Sequence, residues 1–447
     1  MTLPLTNRLN HLLNKKPISM HVPGHKNMTI GYLSALKMEM DMTEITGLDD
    51  LHQAEDVIAQ SMQHIDKHPD YDAYFLVNGT TSGILAVIQS FAKVKGAYLI
   101  ARNVHKSVFH ALDLAHGSSR LLKMHISNKT KQYVGPDESA LKTQVVKAKL
   151  AVFTYPNYYG ECFDVASTIK YMKAHDIPTL IDEAHGAHFN LTGFPKSTLN
   201  MGADYVVQSY HKTLPSLTMS SIIFIHKQAP LRESILKYLS YFQSSSPSYL
   251  LMSSLELAHE FYKTYDSKVF FEKRTQLIKV IEDKGMHIIN VDDPLKLNVQ
   301  CDGYTGIELQ TLFENKEIYV ELADTNQVLL VLPLWHKDDQ FPFDDLLMRI
   351  QGMDIEHRDP FEETYLPFYN EEGIYDSREI NKIKKISIDE AHNEILATNL
   401  VPYPPGIPVM LKGEIITRNM IELMHYWRNH QIRVEGMKDN KIEIKDE

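Results

Sequence analysis

Short apolar runs alternate with amphipathic stretches through the middle of the chain. The runs fall at 74–77, 97–101, 150–153, 179–181, 205–207 and 221–225. Between several of them the period lengthens from two to that of a helix. "GILAVIQSFAK", for example, gathers Ile84, Leu85, Val87, Ile88 and Phe91 on one broad face. Continuous apolar strands separated by helices predict a largely parallel sheet covered on both sides. In such sheets the functional loops collect at the carboxyl ends of the strands.

The texture changes after a polar helix candidate, "FFEKRTQLIKVIEDKG". "HIINVDDPLKLNVQ", "EIYVELAD" and "QVLLVLPLW" then read as spaced strands of a smaller α+β domain. The expected division is an N-terminal arm (1–60), a large domain (61–285) and a smaller C-terminal domain (286–447). The charged ending "GMKDNKIEIKDE" reads as a solvated end or an edge element.

Composition narrows the classes. Of 447 residues, 43% are hydrophobic and 23% charged, a soluble globular balance, and the formal charge of -11 argues against a nucleic-acid-gripping surface. Two cysteines make no disulfide framework and suit a reducing compartment. No apolar run reaches membrane-span length and no signal-like segment opens the chain, so a cytoplasmic location with no membrane partner is expected.

The stretch "IDEAHGAHF" (181–189) admits three chemistries. As a helicase box, Asp182-Glu183-Ala184-His185 would need an upstream phosphate loop, yet none of the 20 glycines is followed by lysine. As a metal pair, His185 and His188 lack a complete ligand set, as do His21/His25 and His105/His110; no resident metal is expected. As a cofactor site, Asp182 at a strand end would offer a buried carboxylate to a protonated ring nitrogen. The flanking motifs favour the last. "NGTTSG" puts Gly79, Thr80 and Thr81 at a helix start, an anion site, with Gly79 and Gly83 expected to let backbone approach a ligand. "RNVHKS" puts His105 after the next strand, where an imidazole could stack on a flat ring. "SYHKTLPSLT" sets Lys212 among small hydroxyl residues rather than on a charged face. A phosphate cup, a stacking ring, a carboxylate and a lysine are what pyridoxal phosphate requires.

With these motifs the chain resembles the Orn/Lys/Arg decarboxylase family. The likeness runs from about residue 21 to 415, through "HVPGHK", "DMTEITGLDDLH", "NGTTSG", "RNVHKS", "IDEAHG", "SYHKTLPSLT", "SSSPSY" and "VPYPPGIP". The resemblance implies an α/β fold of the fold type I pyridoxal-phosphate transferase kind, with a mostly parallel central sheet and a smaller C-terminal α+β domain. It implies Lys212 as the Schiff-base lysine, with His211 as its active-site neighbour. Asp182 would sit on the pyridine nitrogen and His105 over the ring. Gly79, Thr80, Thr81 and Ser209 would hold the phosphate, with His185 beside the cofactor. The implied activity is decarboxylation of a basic amino acid to an amine or polyamine precursor. The implied unit is a homodimer with shared active sites, Ser244–Tyr249 reaching the neighbour's phosphate.

Several positions depart from the family. Long members carry an N-terminal wing domain, for which there is no room before His21, so the short form is expected. Tyr155, Met219 and Lys412-Gly413-Glu414 stand where other residues are usual, which bears on substrate identity. Asp41, Glu44, Asp49 and Asp50 are the candidate carboxylates for a basic substrate side chain, though their loop also suits solvated or capping structure. An aminotransferase or β-lyase would share the cup, aspartate and lysine; a non-catalytic regulator binding the cofactor or a polyamine is the rival from another class.

Overall fold

A computed structural model describes residues 3–360, 373–375, 377–378, 380–403 and 406–446. Pro404 and Pro405 of "VPYPPGIP" lie outside the described residues.

The apolar runs become one eight-stranded sheet. Its spatial order is Gly373–Tyr375, Ser119–Leu122, Ala97–Ala101, Ala148–Thr154, Thr179–Asp182, Tyr205–Gln208, Ser221–His226 and Tyr71–Leu76. The neighbours from Ser119–Leu122 to Tyr205–Gln208 are parallel; Ser221–His226 runs against both its neighbours, and Gly373–Tyr375 adds an antiparallel edge. Helices cover both faces, which is why these strands read as unbroken apolar runs rather than alternating ones. Helix Gly79–Ser90 packs against the sheet with Ile84, Ala86, Val87 and Ile88 buried. Gly83 belongs to that packing: a Cβ there would meet Leu76 Cδ1 at 2.9 Å and Val207 Cγ1 at 3.1 Å. The expectation that it faces a ligand is therefore corrected; it brings the helix onto the strands.

A second, four-stranded antiparallel sheet follows, ordered Met286–Ile289, Lys296–Cys301, Val328–Val331, Leu322–Ala323. The helix Lys268–Asp283, predicted from its polar-apolar pattern, leads into it. Near the start of the chain, Ile18–Met20 pairs in parallel with Ile318–Val320 as a two-stranded sheet of its own, just before the second sheet's strand Leu322–Ala323. Beyond residue 383 a separate small core forms around Leu396, Met410, Met420, Met424 and Trp427. Strand Lys441–Lys445 is the middle strand of a three-stranded sheet there, with Ile442 and Ile444 buried. The ending is thus only in part the edge element expected: Met437–Lys438 is an edge strand with exposed charges around it, but the Lys-Ile-Glu-Ile-Lys alternation of the middle strand turns one apolar face inward. Among the described residues no helix is long and apolar enough to cross a membrane.

Candidate active site

The carboxyl ends of the central strands open into a cleft of about 220 Å³. Gly79, Thr80, Thr81, His105, Asp182, His185, Ser209, His211 and Lys212 all line it. Asn103, Tyr158 and Met219, which sequence reasoning did not select as site residues, line it too.

Asp182 ends its strand and is buried. Its carboxylate accepts the Ala184 N–H at 3.2 Å. Burial pushes its pKa up, while Lys212 and that N–H pull it back. Next to it, Glu183 faces the opposite way and is saturated. It accepts Ser197 Oγ (2.7 Å), Thr198 N (2.7 Å), Thr198 Oγ1 (2.6 Å) and Gln208 Nε2 (2.6 Å). Glu183 is a brace for the loop 183–198; Asp182 is a carboxylate aimed at the cleft.

Lys212 rides on the short helical turn Tyr210–Thr213, just past strand Tyr205–Gln208. Burial lowers its pKa, with Asp182 and Glu321 opposing. "HVPGHK" supports this turn from behind, since Gly24 N–H donates to the His211 carbonyl at 2.7 Å. His211 donates from Nδ1 to the Ser220 carbonyl (3.0 Å), leaving Nε2 bare, and burial holds its pKa near 4. His105 caps helix Lys106–Ala115: Ser107 N–H donates to its Nδ1 at 3.2 Å, so the ring proton sits on Nε2. Burial and then the Lys212 charge lower its pKa to about 3, keeping the ring neutral.

Helix Gly79–Ser90 starts without a side-chain cap, so first-turn N–H groups remain for an acceptor. Gly79 itself has φ 72° and donates to the Met219 carbonyl at 3.0 Å. Met219 takes φ 82° to present that carbonyl, a left-handed backbone costing a non-glycine residue about 1 kcal/mol. Thr80 Oγ1 and Ser209 Oγ lie 3.3 Å apart at the same rim. Asn103 is buried, and its side-chain amide has no hydrogen-bond partner among the described residues.

The two histidines of "IDEAHGAHF" separate. His185 lines the cleft with Nε2 3.1 Å from Lys212 Nζ, whereas His188 Nε2 turns to Asp293 Oδ1 at 2.9 Å in the core. Tyr155 is a core residue, its ring against Phe163 and Phe189, so it does not touch the cleft as its departure from the family suggested. Lys412 finds Asp113 Oδ1 at 2.8 Å, and Glu414 pairs with buried Arg102; both dock the C-terminal unit beside His105. Asp49 accepts the N–H groups of Asp50, Glu55, Asp56, Ile58 and Ala59, and Asp50 that of His52. These two carboxylates cap backbone; Asp41 and Glu44 are exposed.

Family comparison agrees with this geometry. The model described as "Orn/Lys/Arg decarboxylase, major domain" matches residues 3–288, and that family's C-terminal domain model matches 358–440. The chain belongs to the Orn/Lys/Arg decarboxylase family. Among curated relatives of this decarboxylase, the uncharacterized protein YaaO of Bacillus subtilis (strain 168) is 35% identical over 98% of this chain and 96% of its own length. Arginine decarboxylase of the same organism is 27% identical over 99% and 96%. Among solved structures, lysine decarboxylase A from Pseudomonas aeruginosa superposes with a TM-score of 0.71 at 14% identity, covering 91% of this chain and 74% of that one. The E. coli constitutive lysine decarboxylase gives 0.68 at 16%, covering 88% and 74%. The fold is therefore fold type I, and the decarboxylase is an amino acid carboxy-lyase whose cofactor is pyridoxal phosphate. The residues present fit that group. The cleft combines an uncapped helix start for a phosphate, a sparsely bonded buried carboxylate for a ring cation, and a lysine of depressed pKa for an aldehyde.

Proposed function

We propose that this decarboxylase removes the α-carboxylate of an amino acid with a basic side chain, lysine, arginine or ornithine. The products are CO2 and an amine that serves as a polyamine or its precursor, made in the cytoplasm. The observation that carries the reading is the convergence of Lys212, Asp182, His105, His211 and the Gly79–Thr81 helix start on one cleft of an Orn/Lys/Arg decarboxylase chain. Pyridoxal phosphate, when bound, supplies a conjugated ring that accepts the electron pair left behind as CO2 departs.

The chain's residues do the rest. The amides of Thr80 and Thr81, with the hydroxyls of Thr80 and Ser209, would hold the phosphate at the helix start. Asp182 keeps the ring nitrogen protonated, because separating that charge pair in a buried site is costly. The depressed pKa of Lys212 raises the fraction of free amine that can attack an aldehyde. His105, held neutral, would lie against the ring, and His211 would offer its bare Nε2 to phosphate or substrate. Protonation at Cα falls to Lys212 or a histidine beside it; His185 Nε2 at 3.1 Å is within proton-transfer distance of Lys212.

The basic-substrate class is supported by relatives named arginine decarboxylase in Bacillus subtilis and Bacillus anthracis. The working unit in this reading is a homodimer with shared sites. Exposed Ser244–Ser246 lie beside the phosphate cup, with Ser244 N–H directed at Asn78 Oδ1 at 3.5 Å, and they are the segment offered to a second copy.

The test is a panel of amino acids incubated with the holoenzyme, with CO2 and amine both measured. Release of CO2 with agmatine, cadaverine or putrescine is the expected result. Keto acid without CO2 would replace the reading with an aminotransferase, and cofactor binding with no turnover would replace it with a regulator.

A further inference from the structure

Lys296 begins strand Lys296–Cys301 of the second sheet, but only 1% of its surface is exposed. Its stem passes Gly160, where a Cβ would lie 2.7 Å from Lys296 Cγ, so that glycine leaves the lysine its path inward. Lys296 Nζ reaches His185 Nδ1 at 2.9 Å, and the other ring nitrogen of His185 faces Lys212 Nζ at 3.1 Å. One buried imidazole thus stands between two amines.

The groups around this chain decide its protonation. Burial and the flanking charges of Lys212, Lys296, His211 and His105 hold His185 neutral. A neutral imidazole carries one proton, so one nitrogen donates and the other accepts. Burial pulls the Lys296 pKa down to about 8, with Glu321 and Asp293 opposing; Glu321 also opposes the lowering at Lys212, and Lys26 faces Glu321 as well. Tyr158 meets His185 edge-on at 4.3 Å between ring centres and donates to Glu321. Asp182, the acid nearest Lys212, is committed to the ring nitrogen in the reading above. With Asp182 so paired, the charge is assigned to Lys296, whose acid neighbours are Glu321 and Asp293.

We propose that Lys296 is a positioning residue for the decarboxylation: its ammonium donates to His185 Nδ1, fixes the ring proton on Nε2, and so points an N–H at Lys212 that favours its free-amine form. An ammonium has no lone pair to accept that N–H; a free amine does. The inference rests on Lys212 being the lysine that anchors the cofactor.

Lys296→Met removes the donor, whereas Lys296→Gln keeps a neutral N–H. The readout is the pH dependence of the rate at which cofactor-depleted full-length chain recombines with pyridoxal phosphate, with the adduct trapped by borohydride and mapped to its lysine. The expected midpoint rises by about one pH unit in K296M, roughly tenfold slower recombination below it, and stays near wild type in K296Q. A K296M midpoint at or below wild type, or a K296Q midpoint as high as that of K296M, overturns the proposal. Should K296M not fold, nitrogen NMR of histidine-labelled wild-type protein decides: His185 must show a bare Nδ1 and a protonated Nε2, and the reverse tautomer overturns it. Trapping at a lysine other than Lys212 in the wild type instead removes the functional reading itself, whatever the midpoints are.

Discussion

The cleft has two walls built in different ways. One is the carboxyl edge of the central sheet, where Gly79–Thr81, His105, Asp182 and Ser209–Lys212 each follow a strand within a few residues. The other is Tyr158 with a layer behind it, Lys26, Lys296 and Glu321, brought there by chain closure across roughly 300 residues: Lys26 Nζ donates to the Val331 carbonyl at 2.8 Å, and Val22 N–H to Glu321 Oε2 at 2.8 Å. The first wall supplies the groups that hold the cofactor in the proposed reading. The second holds few groups that could touch one, and sets the charge on those that do. Binding chemistry is written in local motifs here, and protonation control in long-range packing.

Replacing Lys212 with Ala strikes the first wall hardest. Turnover is expected to fall by roughly three orders of magnitude or more, and borohydride trapping should leave no labelled peptide. Retained trapping and turnover would remove Lys212 from its role. Asp182→Asn should lower kcat by about 10²-fold or more with the fold intact, because a neutral amide no longer stabilises a ring cation. Equal kcat in D182N and wild type would put Asp182 on the structural side of the comparison.

The neighbouring acid sharpens the contrast. Glu183→Ala should cost about 2–4 kcal/mol of stability, because four buried donors lose their acceptor. It should leave kcat per folded molecule nearly unchanged. Thermal melts beside active-site titration separate the two; a large kcat loss at unchanged melting temperature would contradict the assignment.

The smallest effect expected is a graded one with pH. His105 is held near 3, and His25, His211 and His259 near 4, all by burial first. In the unfolded chain these rings titrate near about 6.5, so between those values the unfolded state binds protons the folded state refuses. Stability is then fully present above the unfolded value and declines as pH falls toward 4. Melting temperature should drop steadily from about pH 7 to about pH 5; a flat profile would mean these rings are protonated in the folded enzyme.

Legibility in the sequence follows the same division. The six apolar runs were readable because burial on both faces leaves no polar alternation to confuse them, and the strand-end motifs came with them. Gly83 misled because a glycine beside a phosphate cup looks like backbone access, whereas here it faces Leu76 and Val207. Lys296 was invisible for a simple reason: in "PLKLNVQ" it alternates with leucines and reads as the wet face of a half-buried strand. That face is covered instead, with Asn298 also fully buried and donating to the Tyr159 carbonyl at 3.0 Å. No local pattern reports that a second layer of protein lies over a polar strand face. The edge strand Gly373–Tyr375 shares the difficulty, since its partner Ser119–Leu122 lies about 250 residues earlier.

The parallel pairing of Ile18–Met20 with Ile318–Val320 has a consequence for synthesis on the ribosome. A chain that has emerged only to residue 290 already contains the phosphate cup, Asp182 and Lys212. It still lacks Lys296, Glu321 and the strand that receives its own first residues. The reactive amine is therefore made before the surroundings that set its charge. A growing polypeptide holds Lys212 before it holds the lysine that reaches His185.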